Sequence, residues 1–305
     1  MKKAIHTILA LAAAAVLWTG CDDKIGTPPD LGRAISFICD ETETRAQEAT
    51  AGNMTTFRVW AGWRKSAGEY IGDYMNGQLV EKKGGAWVYS PVLYMPAYGS
   101  VDFFAYSPAD ATVKVSNDRT HLDYEVTTDP ASQHDFIIAE APGKTTTPVA
   151  LNFQHTLSSV SVEIKNNHPD YSYRIRAVKL INLHRKGTLT RESSGWSWKN
   201  QSDKTTYTFN QNGYIDIASG EQKRISDIAD PLMILPQTVE RGVSTNDPDQ
   251  LTSGAYVAVT YNLYDSQGDD VLGLSLTSYI PLGDPINGFT FEMNGKYTLS
   301  IDLRP

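Results

Sequence analysis

The chain has only two cysteines in 305 residues, no basic block, no second long apolar run after its first twenty residues, and almost no helical periodicity. Each shortage excludes something. Without clustered Lys and Arg there is no surface for a phosphate backbone, and 27 cations against 35 anions give a net charge of −8, so nucleic acid is not a partner. Spanning a bilayer with a helix takes about 20 apolar residues, and no segment reaches that length. His-Glu-x-x-His, Cys-x-x-Cys, a Gly-rich phosphate loop and a Gly-x-Ser-x-Gly elbow are all missing. His121, His134, His155, His168 and His184 are scattered without metal-ligand spacing, so they read as surface or hydrogen-bonded structural residues. The acidic pairs Asp269-Asp270 and Asp247-Asp249 sit in Gly- and Pro-rich loops, where carboxylates form turns. No enzyme activity, cofactor or metal is expected.

What is present begins with an export signal. Lys2 and Lys3 precede an unbroken apolar run of eleven residues, Ile8 to Trp18, which is the length of a signal-peptide core. Trp18-Thr19-Gly20-Cys21 then resembles a bacterial lipobox, with Trp where that pattern prefers Leu; the resemblance implies acylation of Cys21 and anchoring in an outer membrane. Asp22-Asp23 either resembles the acidic surface-export signal of Bacteroidetes lipoproteins or opens a solvated linker. Acylation of Cys21 leaves no second thiol for an intramolecular disulfide, so stability rests on packing.

Beyond Thr27-Pro28-Pro29 the apolar period is two. Phe57, Val59, Ala61 and Trp63 fall on one face of a strand, as do Val160, Val162 and Ile164, then Val257, Val259, Tyr261 and Leu263, then Leu272, Leu274 and Leu276. Four Asn-Gly pairs (76-77, 212-213, 287-288, 294-295) supply turn chemistry. The last is expected to join Phe289, Phe291 and Met293 to Tyr297, Leu299, Ile301 and Leu303 as a hairpin. An all-β chain of this length predicts two tandem β-sandwich domains, with a break near residues 166–170. The expected division is a lipoprotein signal peptide at 1–20, a lipidated propeptide at 21–45, and sandwiches at 46–167 and 168–305. Trp60, Trp63, Trp87, Trp196 and Trp198 read as half-buried strand positions, with a carbohydrate-stacking platform as the alternative.

Four strings in order, Tyr94-Met95-Pro96 with Val101 to Pro108, Leu151 to Ser158, Leu232 to Gln237, and Gly295 to Leu303, resemble the fimbrillin family of the Bacteroidetes, the subunits of type V pili and their relatives. The resemblance implies sandwiches of transthyretin-like topology and assembly with other fimbrial subunits. It also implies a role for residues 31 to 53. Ile35, Phe37 and Cys39 alternate in a short strand, followed by a polar stretch reaching to Met54. In fimbrillins the matching strand completes the precursor's first sandwich until a trypsin-like protease cuts after an Arg; here the cut would separate Arg45 from Ala46. A neighbouring subunit's strand then fills the vacated slot. The alternative reading makes residues 22 to 53 a flexible stalk that holds the domains off the membrane, with Arg45 an ordinary loop residue. Only two residues follow Leu303, where polymerising relatives carry a donor segment, so a tip-like adhesin is the expected position. The rival function is a non-polymerising surface lipoprotein that binds a glycan or host ligand.

Overall fold

The computed structural model describes residues 33–39, 54–65, 68–129, 132–209, 213–225, 231–251, 253–284 and 286–303. Among these residues there are twenty-one strands and no α-helix, as the period-two alternation requires.

Two apolar cores organise the strands. The first lies beneath an antiparallel six-stranded sheet made of β2 (Thr56–Arg64), β3 (Tyr70–Lys83), β4 (Ala86–Val88), β5 (Ser100–Ser107), β8 (Ile137–Lys144) and β10 (Gln154–His155). Their order is β10-β8-β5-β2-β3-β4. Phe57, Val59 and Ala61 of β2 and Val101, Phe103 and Ala105 of β5 point to one face and are buried. Against that face packs a small parallel sheet of β1 (Phe37–Cys39) and β9 (Val149–Leu151).

The second core is built around β12 (Ser172–Glu192), whose length lets it serve as a spine. One edge takes β18 (Tyr256–Tyr264) and then β7 (His121–Glu125); the other takes β13 (Gly195–Thr208) and β14 (Ile215–Ile217). β19 (Leu276–Pro281) and β6 (Val113–Val115) complete this seven-stranded sheet. Facing it, β11 (Ser158–Lys165) pairs antiparallel with β15 (Gln222–Arg224) and β16 (Leu232–Ile234), and parallel with β21 (Lys296–Asp302). β17 (Gln237–Val239) pairs with β20 (Phe289–Phe291). Val160, Val162 and Ile164 of β11 are fully buried between the layers.

The chain crosses to the second sheet for β6 and β7, returns to the first for β8 to β10, and stays with the second core from β11 onward. Asn166, within the expected polar break, is fully buried in the second core. Its amide donates to the carbonyls of Tyr171 and Ile217 at 2.8 and 3.2 Å, and its oxygen accepts the His168 amide at 2.9 Å, so its polarity is consumed internally. Outer-face residues Phe104, Tyr106 and Ile138 of the first sheet join the second core, where Phe104 meets Trp196 at 5.7 Å.

Three local expectations are corrected. Leu272 and Leu274 are not strand residues: Asp270 Oδ1 captures the amides of Leu272 and Gly273, at 3.2 and 2.9 Å, and folds the segment into a bend with both leucines exposed. The pairing of residues 289–303 is not a hairpin. Asn294 adopts φ 63°, and the turn carries the chain from β20, paired with β17, to β21, paired with β11. The rings of Phe289, Phe291 and Tyr297 pack on one another across that turn, so the alternation is satisfied between sheets. Asn76-Gly77 is a bulge inside β3 rather than a hairpin turn: Val59 pairs with Gln78 and Ala61 with Met75, leaving Trp60 opposite two residues.

Candidate functional site

Residues 33–39 form the most distinctive feature of the first core. Ile35 and Phe37, two positions apart, point inward and are 3% and 4% exposed, while Ile38 faces outward at 48%. Cys39 is half-buried at the margin of the same core. The Phe37 ring stands edge-on to Phe57 at 5.5 Å and to Phe103 at 5.9 Å, with Tyr89 at 5.8 Å. Burying an Ile and a Phe contributes roughly 3–6 kcal/mol at about 1.5–3 per large side chain, an upper bound because the unfolded chain also hides some surface.

The backbone of this segment is held on both sides. Toward residues 93–95, the Ile35 amide donates to Leu93 O at 2.8 Å and the Met95 amide donates to Arg33 O at 2.8 Å, with Ala34 and Tyr94 in an antiparallel bridge. Toward β9, the Val149 amide donates to Ser36 O at 2.8 Å and the Ser36 amide donates to Thr147 Oγ1 at 2.9 Å. Tyr89 closes the end: its hydroxyl donates to Ile35 O at 3.0 Å, and burial pushes its phenol above the ordinary value, so it remains a donor. The segment is therefore an inserted strand in a slot. Its removal would strand the Met95 and Val149 amides and the Leu93 carbonyl, each costing about 1–3 kcal/mol if buried without water.

The C-terminal strand is placed elsewhere. Tyr297 and Leu299 are half-buried and Ile301 and Leu303 buried against the second core, and all of β21 is registered along β11 from Ser159↔Lys296 to Lys165↔Asp302. Tyr173 Oη donates to Leu303 O at 3.4 Å. The structure thus brings Ile35, Phe37 and Cys39 together and keeps them apart from Tyr297 to Leu303. Cys21, Arg45 and Ala46 lie outside the described residues. The slot walls, Tyr89, Leu93 to Met95 and Thr147 to Leu151, are each too short to show a period in the sequence; the Tyr94-Met95-Pro96 string and the string opening at Leu151 are their sequence signal. His155 is structural, its Nδ1 bonded to the buried Asp135 carboxylate. Trp198 is anchored by its Nε1–H to Thr156 O at 2.6 Å and packs with Trp196 against the second core.

Two packed β-cores with an inserted first strand define an all-β protein built of sheet on sheet. A solved candidate cell adhesion protein of Bacteroides uniformis shares this fold, with a TM-score of 0.52 at 15% identity over 91% of this chain and 94% of that one. A candidate cell adhesion protein of Bacteroides ovatus aligns with a TM-score of 0.47 at 16% identity, over 88% of this chain and 91% of the other. The tip fimbrial protein Mfa3 of Porphyromonas gingivalis aligns with a TM-score of 0.37 at 12% identity, over 83% and 90%. No curated protein matches the chain. The fimbrillin-like family model matches residues 44–305, and the chain belongs to that family. Membership carries a fimbrial or adhesin role at the cell surface rather than an enzymatic one.

Proposed function

We propose that this protein is a fimbrial subunit of the type V pilus kind whose first strand is a replaceable plug. It is exported as an outer-membrane lipoprotein precursor acylated at Cys21 and cut between Arg45 and Ala46 by a trypsin-like protease. A strand from a neighbouring subunit then enters the slot between Leu93–Met95 and Thr147–Leu151. The observation that carries the reading is the seating of Ile35 and Phe37, buried side chains on a segment that hydrogen-bonds to two different parts of the chain. An empty slot exposes Phe57 and Phe103 together with unpaired backbone groups, a combination that favours β-strand addition.

Within a fibre the protein belongs at the tip, as an adhesin. Support comes from β21, which is integral to the second core through Ile301 and Leu303 and is not a spare arm. The test is N-terminal sequencing of the surface protein together with incubation of Arg45-cut protein, alone and with a second subunit. The reading expects Ala46 at the N-terminus, loss of the lipid, and filaments only in the mixture. A retained lipid with Arg45 uncut favours the rival, a non-polymerising surface lipoprotein; long homopolymers from this chain alone contradict the tip position.

A further inference from the structure

On the opposite face of the first sheet from the slot lies a recess of about 300 Å³ between the two cores, at the low end of the volumes that hold small ligands. One wall comes from the first sheet: Arg64 of β2, Asp102 of β5 and Glu140 of β8. The other wall comes from the β6–β7 turn, with Asp118 and Arg119, and from Arg191 near the end of β12.

The lining is polar yet balanced, with three guanidiniums and three carboxylates. Arg64 Nε donates to Asp102 Oδ2, and Arg191 Nε reaches both Glu140 oxygens at 3.1 and 3.2 Å. A guanidinium has five N–H donors and a carboxylate about four acceptor sites, so these pairs leave capacity on both sides. Arg119 supplies the second observation. It is a non-glycine residue at φ 60°, its side chain is 16% exposed, one Nη donates to the Asp73 carboxylate, and its Nε is buried without a hydrogen-bond partner. Strained backbone and an unsatisfied buried donor are found together where a ligand completes the structure. Tyr70 and Pro142 add apolar surface, and Gly62 permits the Tyr70 ring to lie against the sheet, since a Cβ there would come within 2.9 Å of it.

An anion would upset a lining whose charges already cancel, whereas a polyol offers donors to the carboxylates, acceptors to the guanidiniums and a C–H face to the tyrosine. We infer that the recess between the cores, lined by Arg64, Asp102, Arg119, Glu140 and Arg191, binds a neutral sugar unit of a glycan. This gives the adhesin role a ligand class. It does not rest on strand exchange, because the recess and the slot occupy opposite faces of the sheet.

The test is saturation-transfer NMR of the full chain with galactose, glucose, mannose, fucose and N-acetylglucosamine, and with glucuronic and N-acetylneuraminic acids as anionic comparisons. Saturation transfer to at least one neutral sugar is expected, weakened about tenfold or more by Glu140→Gln, the loss of one charge-assisted hydrogen bond. Thr120→Trp, which fills the recess without breaking an ion pair, should abolish it. Should either variant fail to fold, hydrogen exchange on the wild-type chain decides: a bound neutral sugar should protect residues 118–121 and 140–143. Transfer to none of the neutral probes, preference for the acidic sugars, or protection confined to other segments overturns the inference.

Discussion

Replacing Phe37 by Ala isolates the slot's contribution to seating the first strand. The ring is 4% exposed and wedged among Phe57, Phe103 and Tyr89, with centroids 5.5–5.9 Å away. Two of these neighbours belong to sheet strands and cannot collapse into the gap, which places the cost in the usual Phe→Ala range of about 3–5 kcal/mol. Because the loss falls on one inserted segment, it should appear as opening of residues 33–39, with an opening equilibrium raised by roughly two to four orders of magnitude. Native-state hydrogen exchange reads this directly. The Met95 and Val149 amides, which donate to Arg33 O and Ser36 O, should lose protection to that extent, while Ile164 and Leu299 in the second core keep theirs. Ile38→Ala, at a site 48% exposed, should change protection by no more than about 0.5 kcal/mol. Equal loss of protection in both cores, or none at Met95 and Val149, would refute the reasoning, since the strand would then be inseparable from the global fold or unimportant to the slot.

Gly77→Val should lower stability to chemical denaturation by about 1–3 kcal/mol, because Gly77 sits at φ 67° and a Cβ there would come within 3.1 Å of the Trp60 ring that the bulge accommodates. Asn166→Ala leaves the Tyr171 and Ile217 carbonyls without their donor and should cost about 1–3 kcal/mol, read as a lowered denaturation midpoint with an unchanged slope. The Asp118 carboxylate accepts from the Ser116 hydroxyl and from Thr120, which holds its pKa down at about 2. A depressed carboxylate stabilises above its ordinary pKa near 3.8 and loses that contribution as pH falls toward the folded value. The β6–β7 turn should therefore loosen between about pH 4 and 2, with an NMR titration midpoint for Asp118 near 2; a midpoint at the ordinary value would show that these hydrogen bonds do not form.

Much of the architecture was legible because period-two burial is a direct consequence of strand geometry. Phe57, Val59 and Ala61, then Val160, Val162 and Ile164, then Val257, Val259, Tyr261 and Leu263 are all buried strand positions, and each alternation was long enough to be read. Residues whose partners are distant were less legible. Leu272 and Leu274 alternate like strand residues, yet a single carboxylate, Asp270, dictates their bend. Phe289 to Leu303 has the pattern of a hairpin, but β21 pairs with β11 over seven positions and β20 with β17 over three, and these distant partners take the place of the local β20–β21 pairing. At the candidate site the inserted residues Ile35 and Phe37 stood out, and their hosts did not: a strand of three residues and a single bridge carry no periodicity. The sugar-sized recess was invisible for a related reason, since Arg64, Arg119 and Arg191 are separated by more than fifty residues each and meet only through folding.

Exchange of the first strand itself is the most direct measurement. Protein cut after Arg45 with trypsin is mixed with a synthetic peptide of residues 33–39 carrying a fluorinated Phe at position 37, and the fluorine spectrum is followed with cut and uncut chains. The account predicts a slow-exchanging, buried resonance at one peptide per cut chain, release of the resident segment, and no uptake by uncut protein. A cut chain that keeps its own strand and refuses the peptide, or an uncut chain that takes it up equally well, would contradict it.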